Sequence, residues 1–313
     1  MMKQKTIAYG IACMISASFA YAAVDKTAVP VRPGAKPPSA QKNVEAPISV
    51  RLPALSAEQI IERNVAARGG LAAWKRVKSI TLVGKMDAGK TRRDGGYIAT
   101  QTSPLNKAAA KAELRASLSG NGGAATDKVI QLPFQMEMKR PMMQRLEIPF
   151  NGQTSVQVYD GVHGWKLRPY LGRHEVEPFT REELKIAAAQ QELDGPLIDY
   201  AAKGTRAAVD GTERVDGHDA YRLKLTLKNG DVRHVWIDAQ SFLDIKTEGA
   251  PRQWDGKSRP VMTYYRDFRT VDGLKIPHAL ETTIDGVRSA ENIQVERVAV
   301  NADLDDSRFK KPL

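Results

Sequence analysis

The run Tyr221-Arg-Leu223-Lys-Leu225-Thr-Leu227, then Asn229-Gly230, then Val232-Arg-His-Val235-Trp236-Ile237 decides the fold class. Apolar and polar residues alternate, which buries one face of a strand and leaves the other wet. Asn-Gly between two such runs marks a tight hairpin, because a type I′ turn needs positive φ at both central positions. The same alternation appears upstream in Phe134-Gln-Met136-Glu-Met138, in Leu146-Glu-Ile148 and in Val156-Gln-Val158. Turn signals at Asn151-Gly152, Asp160-Gly161, Asp216-Gly217 and Asp272-Gly273 punctuate the rest. The pattern predicts a mainly β (α+β) protein: one large, mostly antiparallel sheet of about ten or eleven strands. Helices occur early and midway, not between successive strands, which excludes a doubly wound fold. An open sheet of that size tends to curl, so the expectation is a strongly curved sheet with helices over its apolar face.

Three helices are legible. Ser56 with Gln59 forms a capping box ahead of Ile60, Ile61 and Val65. Leu71 to Val77 follows Gly69-Gly70, with Trp74 as anchor. Thr180 with Glu183 caps a third helix reaching about Glu192. Between the first strand and the sheet's resumption near Lys128 lies a stretch at 95–127 that lacks an apolar stripe, helical-looking from Asn106 to Leu118 and Gly-rich after it. It reads as a flexible insertion. Gly249 to Arg259 reads as a loop carrying Trp254, and the tail after Val300 reads as polar, pinned only by Phe309.

The amino-terminal residues carry an export signal. Lys3 and Lys5 precede an apolar run from Ile7 to Phe19, and Ala20-Tyr21-Ala22 fits small-x-small cleavage. The expected organisation is a signal peptide at 1–22, a Pro/Ala-rich linker at 23–55 and a single domain at 56–313. The expected location is the periplasm, in soluble form, with no spanning helix. The one cysteine, Cys13, falls in the leader; a rival reading makes it a lipidation site, but Leu is absent three residues before it. With Cys13 removed there is no disulfide, thiol nucleophile or thiolate metal site. The 313 residues carry a net charge of +11 at mean hydropathy −0.40. The Lys and Arg are interspersed among strands and not gathered with aromatics, so nucleic acid is not an expected partner.

Chemical motifs are weak. Gly84-Lys-Met-Asp-Ala-Gly89-Lys90-Thr91 matches the phosphate-loop pattern, but no apolar-periodic helix follows it. It reads instead as the end of strand one and a turn. His163, His174, His218, His234 and His278 show no zinc-helix spacing, and no serine sits in a nucleophile elbow. The expectation is no enzyme, no catalytic residue, no metal and no cofactor. What remains is apolar surface. Phe134, Met136 and Met138 share one face, Leu146 and Ile148 another, and Val156 and Val158 pair with them; Leu223, Leu225 and Leu227 continue the pattern, with Trp165 and Trp236 at the edge. These could line a ligand cavity, or simply form a core.

Several segments in order resemble bacterial outer-membrane lipoprotein-sorting proteins, the lipoprotein-carrier (LolA-like) superfamily. They are Gly69-Gly70-Leu71 with Trp74, Pro133-Phe134 with Lys139-Arg140-Pro141, Tyr159-Asp160-Gly161 with Gly164-Trp165, and Leu193-Asp-Gly-Pro-Leu197 with Tyr200 and Lys203-Gly204. Tyr221-Arg-Leu223, Trp236-Ile-Asp238, Tyr265-Arg-Asp-Phe268 and Val271-Asp-Gly273-Leu274 continue it, so the match spans about Leu55 to Val300. The resemblance implies an unclosed β-barrel covered by helices and a non-enzymatic carrier of lipid or lipoprotein acyl chains, with inner- or outer-membrane transport components as partners. It also implies a polar latch, for which Arg140 stands at a strand end. The alternative is a periplasmic structural or regulatory module that binds protein partners without lipid.

Overall fold

The computed structural model describes residues 51–91, 97–99, 129–169, 173–189, 193–254, 257–285 and 291–313. The signal peptide with Cys13, the linker up to residue 50 and the helical-looking Asn106 to Leu118 lie outside the described residues.

Two helices open the described chain. α1 (Ala57–Ala67) starts at the capping box read from the sequence: Ser56 accepts from the Gln59 amide, and the Gln59 side chain accepts from the Ser56 amide. α2 (Leu71–Arg76) follows, with Trp74 fully buried. The strands are β1 (Ser79–Thr91), β2 (Tyr97–Ala99), β3 (Val129–Lys139), β4 (Met143–Phe150), β5 (Gln153–Tyr159), β6 (Gly164–Arg168) and β7 (Arg173–Pro178). After α3 (Arg181–Ala189) come β8 (Arg206–Val215), β9 (His218–Thr226), β10 (Val232–Asp238), β11 (Asp244–Trp254), β12 (Lys257–Val271), β13 (Leu274–Ile284) and β14 (Glu291–Val300).

All belong to one fourteen-stranded sheet ordered β7-β6-β5-β4-β3-β1-β14-β13-β12-β11-β10-β9-β8, with β2 paired to β1 alone. This corrects the expected fold. The sheet is neither the strongly curved, unclosed barrel nor a sheet of ten or eleven strands; it is open, with β7 and β8 as its two edges. The undercount has local causes. Gly249 to Arg259 is not a loop but the paired ends of β11 and β12, with Gly249 opposite Val261 and Arg252 opposite Arg259. Tyr97 to Ala99, assigned to the insertion, pairs with Gly89 to Thr91. The phosphate-loop pattern is continuous strand through Thr91, with no turn.

The strand order has a consequence for function. β7 and β8 are consecutive in the chain but lie at opposite edges, so the connection between them must cross a face of the sheet. It does so through α3 and the 193–205 segment, which buries Leu197 and Ile198 completely. Together with α1 and α2 it covers the inner face.

Register assigns side chains to faces. Gly84 lies opposite Phe134, Leu82 opposite Met136 and Met136 opposite Leu146, so these share the inner face with Trp74 and Ile198. Toward the other edge, Leu223 lies opposite Val235 and packs on Ile60 and Ile61 of α1. Between these two apolar fields runs a polar strip, Thr247 opposite Thr263 and Thr263 opposite Thr282.

The outer face carries its own small core. Val156 pairs with Glu147 and Val158 with Arg145, so both valines point away from Leu146 and Ile148. This corrects their expected grouping, since a side-chain period of two puts neighbours of paired residues on opposite faces. The tail covers them. Leu304 and Phe309 pack on Val156 and Val158, with Met143 and Trp165 at the margin. Polar contacts hold the tail as well as Phe309 does: Lys139 Nζ donates to the Leu304 carbonyl, Arg145 to the Arg308 carbonyl, and Arg308 Nε to Glu137 at 2.7 Å. Because these bonds keep the strap seated, Phe309→Leu is expected to cost only about 1 kcal/mol, read by urea denaturation.

Candidate functional site

The cover on the inner face is fastened at Asp194. Its carboxylate accepts from Arg140 Nη2 at 2.7 Å and from Lys203 Nζ at 2.9 Å, and its side chain is 6% exposed. Arg140 also donates through Nε to the Val77 carbonyl, and Lys203 to the Gly195 carbonyl. One carboxylate therefore ties the strand end after β3, the end of α2 and both ends of the crossing segment. Burial pushes the Asp194 carboxyl up, but Lys203 and Arg140 outweigh it and hold the group below the ordinary carboxylate range.

A second polar group lies beneath. Arg68, at the end of α1, donates Nη1 to the Asp194 carbonyl at 2.8 Å and stacks over the Trp74 ring at 4.7 Å. Its Nε lies 3.6 Å from Asp244 Oδ2, beyond charge-assisted hydrogen-bond length. Asn64 Nδ2 donates to Asp244 Oδ1 at 3.3 Å. Burial raises the Asp244 carboxyl above its ordinary range, with Arg68 and Asn64 opposing incompletely. Arg68, Asp244, Thr247 and Tyr265 line a half-open cavity of about 40 Å³, with Leu193, Phe268 and Pro277 as its apolar lining. By volume that is room for roughly three waters.

The residues singled out from the sequence divide among four clusters. Phe134, Met136, Met138, Leu146 and Ile148 are together on the inner face under Trp74. Leu223, Leu225 and Leu227 are on the inner face under α1. Val156 and Val158, with Trp165 beside them, are on the outer face beneath the tail. Trp236 is also on the outer face, with Val215, Ala220 and Met262, where Lys246 Nζ sits 4.0 Å from its ring centre. Arg140 is at the Asp194 clamp. Asp194, Lys203, Arg68 and Asp244 were not singled out, although Leu193 to Leu197 and Lys203-Gly204 were among the segments carrying the resemblance. The sequence shows only an Asp between Leu193 and Gly195-Pro196; its burial and its partners are set by distant residues.

Among the described residues, no group of three or more His, Cys, Asp or Glu is arranged to hold a metal, and no helix is long and apolar enough to cross a membrane. His234 instead sits between carboxylates on the outer face, 2.5 Å from Glu248 and 3.3 Å from Asp210.

No family model matches the chain, and no curated protein does. Solved structures do. A LolA superfamily protein from Nitrosomonas europaea is similar at 15% identity and a TM-score of 0.46, over 82% of this chain and 99% of that one. A DUF1329 family protein from Desulfovibrio piger is similar at 15% identity and a TM-score of 0.47, over 81% and 97%. A domain from Vibrio parahaemolyticus described as an outer membrane lipoprotein-sorting protein is similar at 12% identity and a TM-score of 0.43, over 81% and 95%. Each of the three is matched over nearly its whole length.

Proposed function

We propose that this protein is a non-enzymatic periplasmic binding protein that carries acyl chains of lipids or lipoproteins between the inner face of its sheet and the covering α1, α2 and 193–205 segment. The supporting observation is the cover itself: a chain crossing from one sheet edge to the other, lying on Met, Leu and Phe side chains and fastened by charge at Asp194. An acyl chain in water exposes about 0.8 kcal/mol per CH₂, so a carrier must enclose it. Methionines such as Met86, Met136 and Met138 adapt to varied chains. The cavity of about 40 Å³ at Arg68 holds no such chain; in this reading the cover lifts to admit one. Arg140 is the latch in this reading, and membrane transport components at either end of the journey are its partners.

A cover packed on the described inner face is also what the second reading, a module binding protein partners, expects. Uptake of a fluorescent fatty acid separates the two. The carrier reading expects saturable uptake, and it expects Arg140→Ala to speed it roughly tenfold if the latch adds about 1.4 kcal/mol to the opening barrier. A folded protein that takes up no fatty acid, with or without Arg140, refutes it.

A further inference from the structure

We infer that the cover opens at its Asp194 end, swinging on α3, and that Lys166 with Glu183 forms the pivot that keeps α3 on the sheet; this rests on the carrier reading above, in which the cover moves. The two ends are held differently. At the α3 end, Lys166 Nζ on β6 lies 2.6 Å from both carboxylate oxygens of Glu183, with side chains 8% and 13% exposed. A pair this dry is little screened by solvent and salt. Glu183 also caps α3: its carboxylate accepts from the Thr180 amide, and its own amide donates to the Thr180 hydroxyl. Just before, the Phe179 amide donates to the Gly164 carbonyl at 2.8 Å, and the Phe179 ring fills the place a Cβ on Gly164 would take.

The Asp194 end is wetter. Arg140, one of the two cations on that carboxylate, is 37% exposed, so water competes for its guanidinium. The half-open cavity borders this end: Leu193, Gly195 and Pro196 of the 193–205 segment line it, facing Tyr265 and Phe268 of β12. Arg68 adds one bond to the Asp194 carbonyl, from the cavity's own wall. Side chains beside a void lack partners on one side, so the cover has less contact to lose here than over a packed core. The segment behind keeps its own shape, since the Lys203 and Thr205 amides donate to the Asp199 and Tyr200 carbonyls, and it can therefore move as a unit. Leu197 and Ile198 are fully buried beneath it, which keeps the closed state dominant.

Maleimide labelling of buried thiols tests this without any cargo. Two reporters are placed in the full chain carrying Cys13→Ser: Ile198→Cys in the 193–205 segment, and Ala187→Cys on α3, one turn after Glu183; both native side chains are buried. The expected result is that Ile198→Cys labels at least about tenfold faster than Ala187→Cys, the margin given by one charge-assisted hydrogen bond. Arg140→Ala speeds labelling at Ile198→Cys by about tenfold and leaves Ala187→Cys unchanged. Lys166→Met does the reverse. Because Lys166→Met strands Glu183 without its cation and can unfold α3 outright, Glu183→Gln, which keeps a side-chain acceptor for the Thr180 amide, repeats that comparison. Labelling of Ala187→Cys as fast as or faster than Ile198→Cys overturns the pivot and leaves the carrier reading standing. So does an Arg140→Ala that speeds both sites alike or neither, or a Glu183→Gln that leaves Ala187→Cys unchanged. No labelling at either site overturns both, because the cover then does not move.

Discussion

Gly84→Ala is expected to destabilise the protein by about 3 kcal/mol, at the upper end for overpacking, because the obstacle is backbone. Gly84 lies in the middle of β1, between Phe134 on β3 and Val295 on β14, where the register with β14 shifts. A Cβ there would overlap the Gln294 carbonyl oxygen and lie 2.9 Å from Val295 Cα. Neither atom can rotate away, and moving β14 would disturb its pairing on both sides. Urea denaturation reads the effect as a lower midpoint at unchanged slope. A variant within about 0.5 kcal/mol of wild type would mean that the two strands are further apart than described. The result also bears on the phosphate-loop pattern: the glycine is there for a close approach of strands, and no nucleotide is needed to explain it.

Asp194→Asn is expected to lower stability by about 2–3 kcal/mol at pH 7, less than for a fully buried pair because Arg140 and Lys203 are partly exposed and screened by solvent. The pH dependence identifies the cause. The folded-state pKa of Asp194 is depressed, so its contribution is present above the ordinary carboxylate value near 3.9 and is lost as pH falls through the folded value. The gap between wild type and variant therefore closes as pH falls below the ordinary carboxylate value. Asp244 runs the other way: its folded pKa is raised, so its contribution is present below the ordinary value and fades as pH rises through the folded one. A gap for Asp194→Asn that stays constant as pH falls from 7 through and below the ordinary carboxylate value would show that hydrogen-bond geometry, not charge, holds the cover.

How much of this was legible depended on where physical signals are local. The Leu223, Leu225, Leu227 alternation and the two capping boxes are set by neighbouring residues, and both appear in the structure as read. β7, Arg-His-Glu-Val-Glu-Pro, has no apolar face to announce it, and β11 carries Gly249 and Pro251, which read as loop. Missing such strands narrowed the expected sheet. The inner and outer faces could not be sorted because register is a relation between strands: Val156 and Leu146 look alike in sequence yet point in opposite directions. The clamp was invisible for the same reason. Asp194 is 54 residues from Arg140 and 126 from Arg68, and only the crossing of the sheet brings them together.

The central claim is that the covered inner face takes acyl chains. Native mass spectrometry of the protein, recovered gently from the cells that make it and followed by organic extraction, tests this most directly. The account predicts a stoichiometric lipid or acylated peptide on the folded protein. A clean apo mass, with no uptake of added fatty acid or phospholipid, would contradict it and leave a sheet whose cover serves protein partners instead.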